Sequence, residues 1–251
     1  MGFLDTAPLG EQREEAIARI RKAPPGLEIA RYWQVVATHT PDSARRLVSY
    51  LASALLARGW LQAADRVLEA AADTLGESAD HVKADFDLLV AADLLTVEAG
   101  KITCIAGLMS IKPTGLVFKF DGQHEIHLPG PLAAIAIGKA LQKAGEVRAT
   151  CADDKTTKLV LKVDKAGIVE RTPEEICLFL RAWNGETPPT AASTAGGLFR
   201  NDDALGRWQE QAGDPAGMPL ASLLFGMAVG DLGLQVGGAL ESVLNHLPDF
   251  D

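Results

Sequence analysis

The stretch from Gly107 to Leu141, GLMSIKPTGLVFKFDGQHEIHLPGPLAAIAIGKAL, restricts the possible folds of this chain more than any other. It reads as a strand (Leu116–Phe120), a turn at Asp121-Gly122, a second extended piece (His124–Leu128), a Pro-Gly-Pro break and an apolar Ala/Ile helix. A helix without a polar face belongs in a core. A strand that enters such a helix through a rigid proline turn sets a few side chains at a defined point beside that core. The turn carries His124, Glu125 and His127, polar groups in an otherwise apolar neighbourhood.

The flanks add helices before this stretch and strands after it. Glu11–Lys22, Leu27 to about Ala37 and the segment from Asp42/Ser43 to Gly59 have helical spacing; Leu47, Leu51, Leu55 and Leu56 form the apolar stripe of the third. Leu61–Leu75 is amphipathic and ends at Gly76, and Ser78 is placed to cap a helix whose face carries Val82, Phe86, Leu89 and Val90. LTVEAGKITCIA then reads as a hairpin turning at Glu98–Lys101. Helix, turn, helix and hairpin is the winged-helix order. Downstream, Gly145–Thr150 and Lys158–Val163 read as strands, Gly185–Gly197 as an irregular loop, and a helix surrounds Trp208. From Met218 the apolar MPLASLLFGMAVGDLGLQVGGALESVLNHL predicts one long closing helix. The expected organisation is a helical extension at 1–60, a winged-helix-like region at 61–106 and an α+β domain of antiparallel strands and helices at 107–251.

Charge narrows the function. The chain has 251 residues, 47% hydrophobic and 23% charged, with net charge −9. DNA affinity arises from lysines and arginines that neutralise phosphates. In a DNA-binding winged helix the second helix enters the major groove; here that face offers Asp80, His81, Lys83, Asp85 and Asp87. Nucleic acid is therefore a disfavoured partner. Three scattered cysteines, Cys104, Cys151 and Cys177, make no disulfide framework. With an acidic start and no apolar run of the roughly 20 residues a membrane span needs, a cytoplasmic protein is expected. No phosphate-cradling glycine loop, GxSxG or HExxH is present.

The order of these pieces resembles the organomercurial (alkylmercury) lyases. The similar stretches are Gly107–Leu141, GEVRATCADDKTTKLVLKV, and the Trp208 helix with ASLLFGMAVGDLGLQVG, together about residues 60–245. The resemblance implies an N-terminal winged-helix-like bundle followed by a compact α+β domain. It also implies chemistry by two cysteine thiolates that capture a soft organometal cation and an aspartic acid that supplies the proton. Where the first cysteine and the aspartate belong, this chain has HEIHLPGPLAA; where the second cysteine belongs, Ser193 stands nearest by spacing. All three positions are substituted. Cys151 matches a structural cysteine of the family.

The expected function is therefore a lyase-family relative that binds a small molecule or a metal ion in the inherited pocket, with His124, Glu125, His127 and Ser193 as ligand-binding candidates. Imidazoles suit zinc, copper, nickel or iron, which makes His124 and His127 the candidate metal ligands. On a regular strand these two histidines point to opposite faces, so they converge only where the turn breaks the alternation. An enzyme of altered chemistry using His124, Glu125 and His127 is one alternative, and a winged-helix ligand-sensing regulator is another. No particular cofactor is indicated.

Overall fold

A computed structural model describes residues 2–23, 27–120, 125–181, 183–194, 196–212, 217–220 and 230–244. Five helices come first: α1 (Arg13–Arg21), α2 (Glu28–His39), α3 (Asp42–Arg58), α4 (Ala64–Leu75) and α5 (Ala79–Ala91). Their ends are set locally. Gly59 (φ 74°) and Gly76 (φ 68°) adopt the left-handed conformation that closes α3 and α4, and the Ser78 hydroxyl accepts the His81 N–H at 3.2 Å to open α5. The hairpin follows as β1 (Leu95–Glu98) and β2 (Lys101–Ile105), turned by Ala99 and Gly100, both with positive φ.

Next come β3 (Met109–Ser110), β4 (Val117–Lys119), β5 (Ile126–His127), α6 (Pro131–Leu141), β6 (Gly145–Thr150), β7 (Lys158–Asp164) and β8 (Gly167–Thr172). These strands and the hairpin form one antiparallel eight-stranded sheet in the order β1-β2-β3-β5-β4-β6-β7-β8. The rest is β9 (Cys177–Arg181), α7 (Pro189–Thr194), β10 (Gly196–Phe199), α8 (Asp202–Ala212), β11 (Gly217–Leu220) and α9 (Gly230–Val243). A second sheet has the order β10-β9-β11.

The apolar helix α6 is buried along nearly its whole length and packs on α9, β7 and β8. Its contact with α9 is backbone-close: a Cβ at Gly233 would stand 2.4 Å from the Ile135 carbonyl oxygen, and one at Gly237 2.7 Å from that of Ala136. Helix α2 packs on the same α9. The first 60 residues thus share one hydrophobic cluster, running from Leu4 to Leu244, with the rest of the chain. Tyr32 of α2 stacks edge-on with Phe3, Trp33 and Trp183.

Two segments differ from the sequence expectation. The closing helix does not start at Met218: Gly217–Leu220 is a strand paired with β9, with Pro219 opposite Phe179, and the helix occupies Gly230–Val243. The residue before a proline favours extended backbone, and β9 offers an edge to pair with. The expected irregular loop at Gly185–Gly197 contains α7, which starts with a proline at its first position. No helix among the described residues is long and apolar enough to cross a membrane.

Candidate functional site

Cross-strand partners in an antiparallel sheet point to the same face. Thr96, Cys104, Ser110, His127, Val117 and Arg148 are successive partners and make one row across six strands. The adjacent row, Ile126, Phe118, Val147 and Leu161, faces the opposite way and is buried in the core. At the β1–β2–β3 end, the first row is roofed by the segment around α7, and a cavity of about 420 Å³ remains between them.

Its walls come from four parts of the chain. Thr96, Glu98, Thr103, Cys104 and Ser110 belong to the sheet. The Lys112–Thr114 turn and Pro129 form one side, while Pro188, Thr190, Ala191 and Thr194 form the roof. Asp93, in the turn between α5 and β1, supplies the one deeply buried carboxylate of the lining, at 5% exposure. It holds a left-handed backbone conformation (φ 55°), which aspartate tolerates better than most residues. Its Oδ2 accepts the Thr190 N–H at 2.7 Å, so a residue 97 positions away caps α7.

Burial pushes the Asp93 carboxyl up to about 6, although the Thr190 N–H and the Thr190 and Thr96 hydroxyls favour its charged form. No cationic side chain among the described residues contributes to it. The same burial, reinforced by the Asp93 charge, pushes the Cys104 thiol up to about 12 and raises Tyr32 further above its ordinary range. The Tyr32 hydroxyl donates to the Ala92 carbonyl at 2.8 Å beside this group. Cys104 is therefore a neutral thiol at physiological pH, which disfavours it as a nucleophile. At the rim, Lys112 is bound to Glu98 and holds its carboxyl below the usual carboxylate range.

Of the site residues singled out from sequence, those described do not line this cavity and do not meet one another. His124 lies outside the described residues. Glu125 is exposed and forms an ion pair with Arg148 at 3.6 Å. His127 is half-buried next to Ser110 in the sheet row, and its Nδ1 is buried with no hydrogen-bond partner among the described residues. Ser193 is 5% exposed, and its hydroxyl donates back to the Thr190 carbonyl at 2.8 Å. No hydrogen bond or ion pair joins Glu125, His127 and Ser193. Among the described residues no three of His, Cys, Asp and Glu converge as a metal site.

The turn that carries the family resemblance is closed by backbone. A Cβ on Gly130 would stand 2.3 Å from the Ser193 carbonyl oxygen and 2.8 Å from the Thr194 Cα. Leu128 and Ala134 are fully buried, and Ala133 is almost so. Among the described residues the Asp93 cavity lies beyond Pro129 and Thr194, over the β1–β2–β3 end. The sequence reading missed Asp93. Its one signal is a lone acid inside the apolar AADLLTV, where an exposed carboxylate is out of place.

No protein-family model matches the chain, and no curated protein matches it by sequence. Among solved structures it is similar to the crystal structure of the mercury-bound form of MerB2, with TM-score 0.64 and 15% identity, covering 86% of this chain and 98% of that one. The fold is thus a MerB-like α+β fold, in agreement with the fold class expected from sequence.

Proposed function

We propose that this chain is a small-molecule-binding protein that uses the MerB-like fold without organomercurial-cleaving chemistry, and that the Asp93 cavity is its binding site. The observation that carries this reading is a buried carboxylate, without a charge partner among the described residues, in the wall of an open cavity of about 420 Å³. Ligand sites combine apolar walls with a few converging polar groups in volumes of this order. Burying an unpaired carboxylate costs stability, so its place in a cavity wall suits recognition better than support. Against the lyase reaction stand the stretch HEIHLPGPLAA, which holds neither a cysteine nor an aspartate, and Ser193 in α7, which supplies no thiolate. Native mass spectrometry of the purified chain, beside elemental analysis, tests the reading. The expected result is a stoichiometric small-molecule mass on the wild type that is lost in Ala191→Trp, which fills the cavity from its roof. The same bound mass on both proteins would contradict it.

A second reading, an enzyme of altered chemistry or a metal site using His127, draws on the unpartnered buried Nδ1 of that residue. It predicts that His127→Ala abolishes ligand or metal uptake, which the first reading does not. The regulator reading has less support, because Lys83 on the exposed α5 face is paired with Asp87, and His81 lies beside Asp85.

A further inference from the structure

Three features of the cavity restrict what it takes. The only deeply buried charge in its lining is Asp93, and no lysine, arginine or histidine among the described residues offsets it. Among the described residues the only cation in the lining, Lys112, sits at the exposed rim and is already bound to Glu98. The remaining wall is apolar or hydroxylic: Pro113, Pro129, Pro188 and Ala191 beside threonines and Ser110. The lining therefore carries a formal −1 (Asp93 and Glu98 against Lys112), with the uncompensated charge at depth. An anion entering this space would meet a carboxylate with no counter-ion. A neutral molecule would leave that carboxylate as it is. A cation supplies the missing partner, and inside a low-dielectric wall a charge-assisted hydrogen bond is worth more than in water.

We infer that the cavity takes a small organic amine, its ammonium group donating to the Asp93 carboxylate and its hydrocarbon body lying against Pro113, Pro129 and Pro188. This rests on the cavity being a ligand site, and it adds the ligand's chemical class. The groups that face Asp93 do not compete for the role. Tyr32 from α2 and Cys104 from β2 both remain neutral between pH 5 and 8, and Thr190 from α7 presents only an amide and a hydroxyl.

Benzylamine and benzyl alcohol, nearly equal in shape, make the test. Each is titrated by calorimetry into the full chain and into Asp93→Asn, with amide shifts of Asp93, Cys104 and Thr190 as a second readout. The expected result is saturable benzylamine binding to the wild type at pH 7.5, at least about tenfold tighter than benzyl alcohol and reduced about tenfold or more by Asp93→Asn. On the wild type alone, affinity for benzylamine falls as pH is lowered through about 6, because the carboxylate becomes protonated; this arm stands whether or not Asp93→Asn folds. Equal binding of the two probes, with cavity shifts insensitive to pH and to Asp93, would overturn the amine assignment and leave the cavity as a ligand site. Absence of cavity shifts with either probe would overturn both.

Discussion

Two neighbouring regions of this molecule share the segment Leu128–Pro131 and the end of α7, yet one is closed and the other open. On the α6 side, Gly130 brings its backbone against Ser193 and Thr194 so closely that a methyl group does not fit. On the β1–β2–β3 side, Pro129 and Thr194 border a cavity whose most buried charged group is a carboxylate. The closed side is the one that family resemblance marks as reactive. In this chain the recognisable stretch is tightly packed, and the carboxylate raised by burial, Asp93, lies outside it in the turn between α5 and β1.

The largest effect that separates the two regions is expected for Gly130→Val. Its branched side chain collides with backbone on α7, which cannot step aside like a flexible side chain, and a loss above about 3 kcal/mol is expected in urea denaturation. A near-neutral result would mean that the α6–α7 contact is loose and that this region is not closed after all.

Next in size is Asp93→Asn, where the sign depends on pH. A folded-state pKa of about 6, raised by burial above the unfolded value near 3.9, means that the charged carboxylate opposes folding. That cost is absent below about pH 4, grows as pH rises between 4 and 6, and is complete above 6. Asn keeps an oxygen for the Thr190 N–H and carries no charge. Asp93→Asn is therefore expected to match the wild type near pH 4 and to exceed it by up to about 3 kcal/mol at pH 7.5. Equal stability at both pH values would place Asp93 in water rather than in a buried wall.

Smaller effects sharpen the boundary of the open region. Tyr32→Phe removes the hydroxyl that donates to Ala92 next to Asp93 and is expected to cost about 1 kcal/mol by thermal denaturation. Ser193→Ala removes only a hydroxyl that bonds back within α7, so a change of about 0.5 kcal/mol and unchanged ligand uptake are expected. A Ser193→Ala protein that folds normally and loses its ligand would move the site back to the closed side.

Much of the architecture is legible from sequence because its causes are local. Gly59 and Gly76 end helices by their own conformational freedom, Ser78 caps from three residues away, and the Ala/Ile run of α6 has no polar face to leave outside. What escapes is non-local. Gly217–Leu220 is a strand because β9 offers it an edge, and α7 is capped by an aspartate 97 residues earlier. The site escapes for the same reason. Asp93 reads as an ordinary acid at the end of a helix until the fold buries it beneath α7, while His127 and Ser193 stand out by position in the chain and are not joined by any bond across the structure.

At the proposed site a buried carboxylate, Asp93, has no cationic partner among the described residues and lines an open cavity. The most direct test is a ¹³C NMR titration of the Asp93 side-chain carboxyl in the folded wild-type chain. A midpoint near 6 that falls when benzylamine is added is the predicted result. A midpoint near 4, unmoved by the amine, would show a solvated or already paired carboxylate and contradict the proposed site.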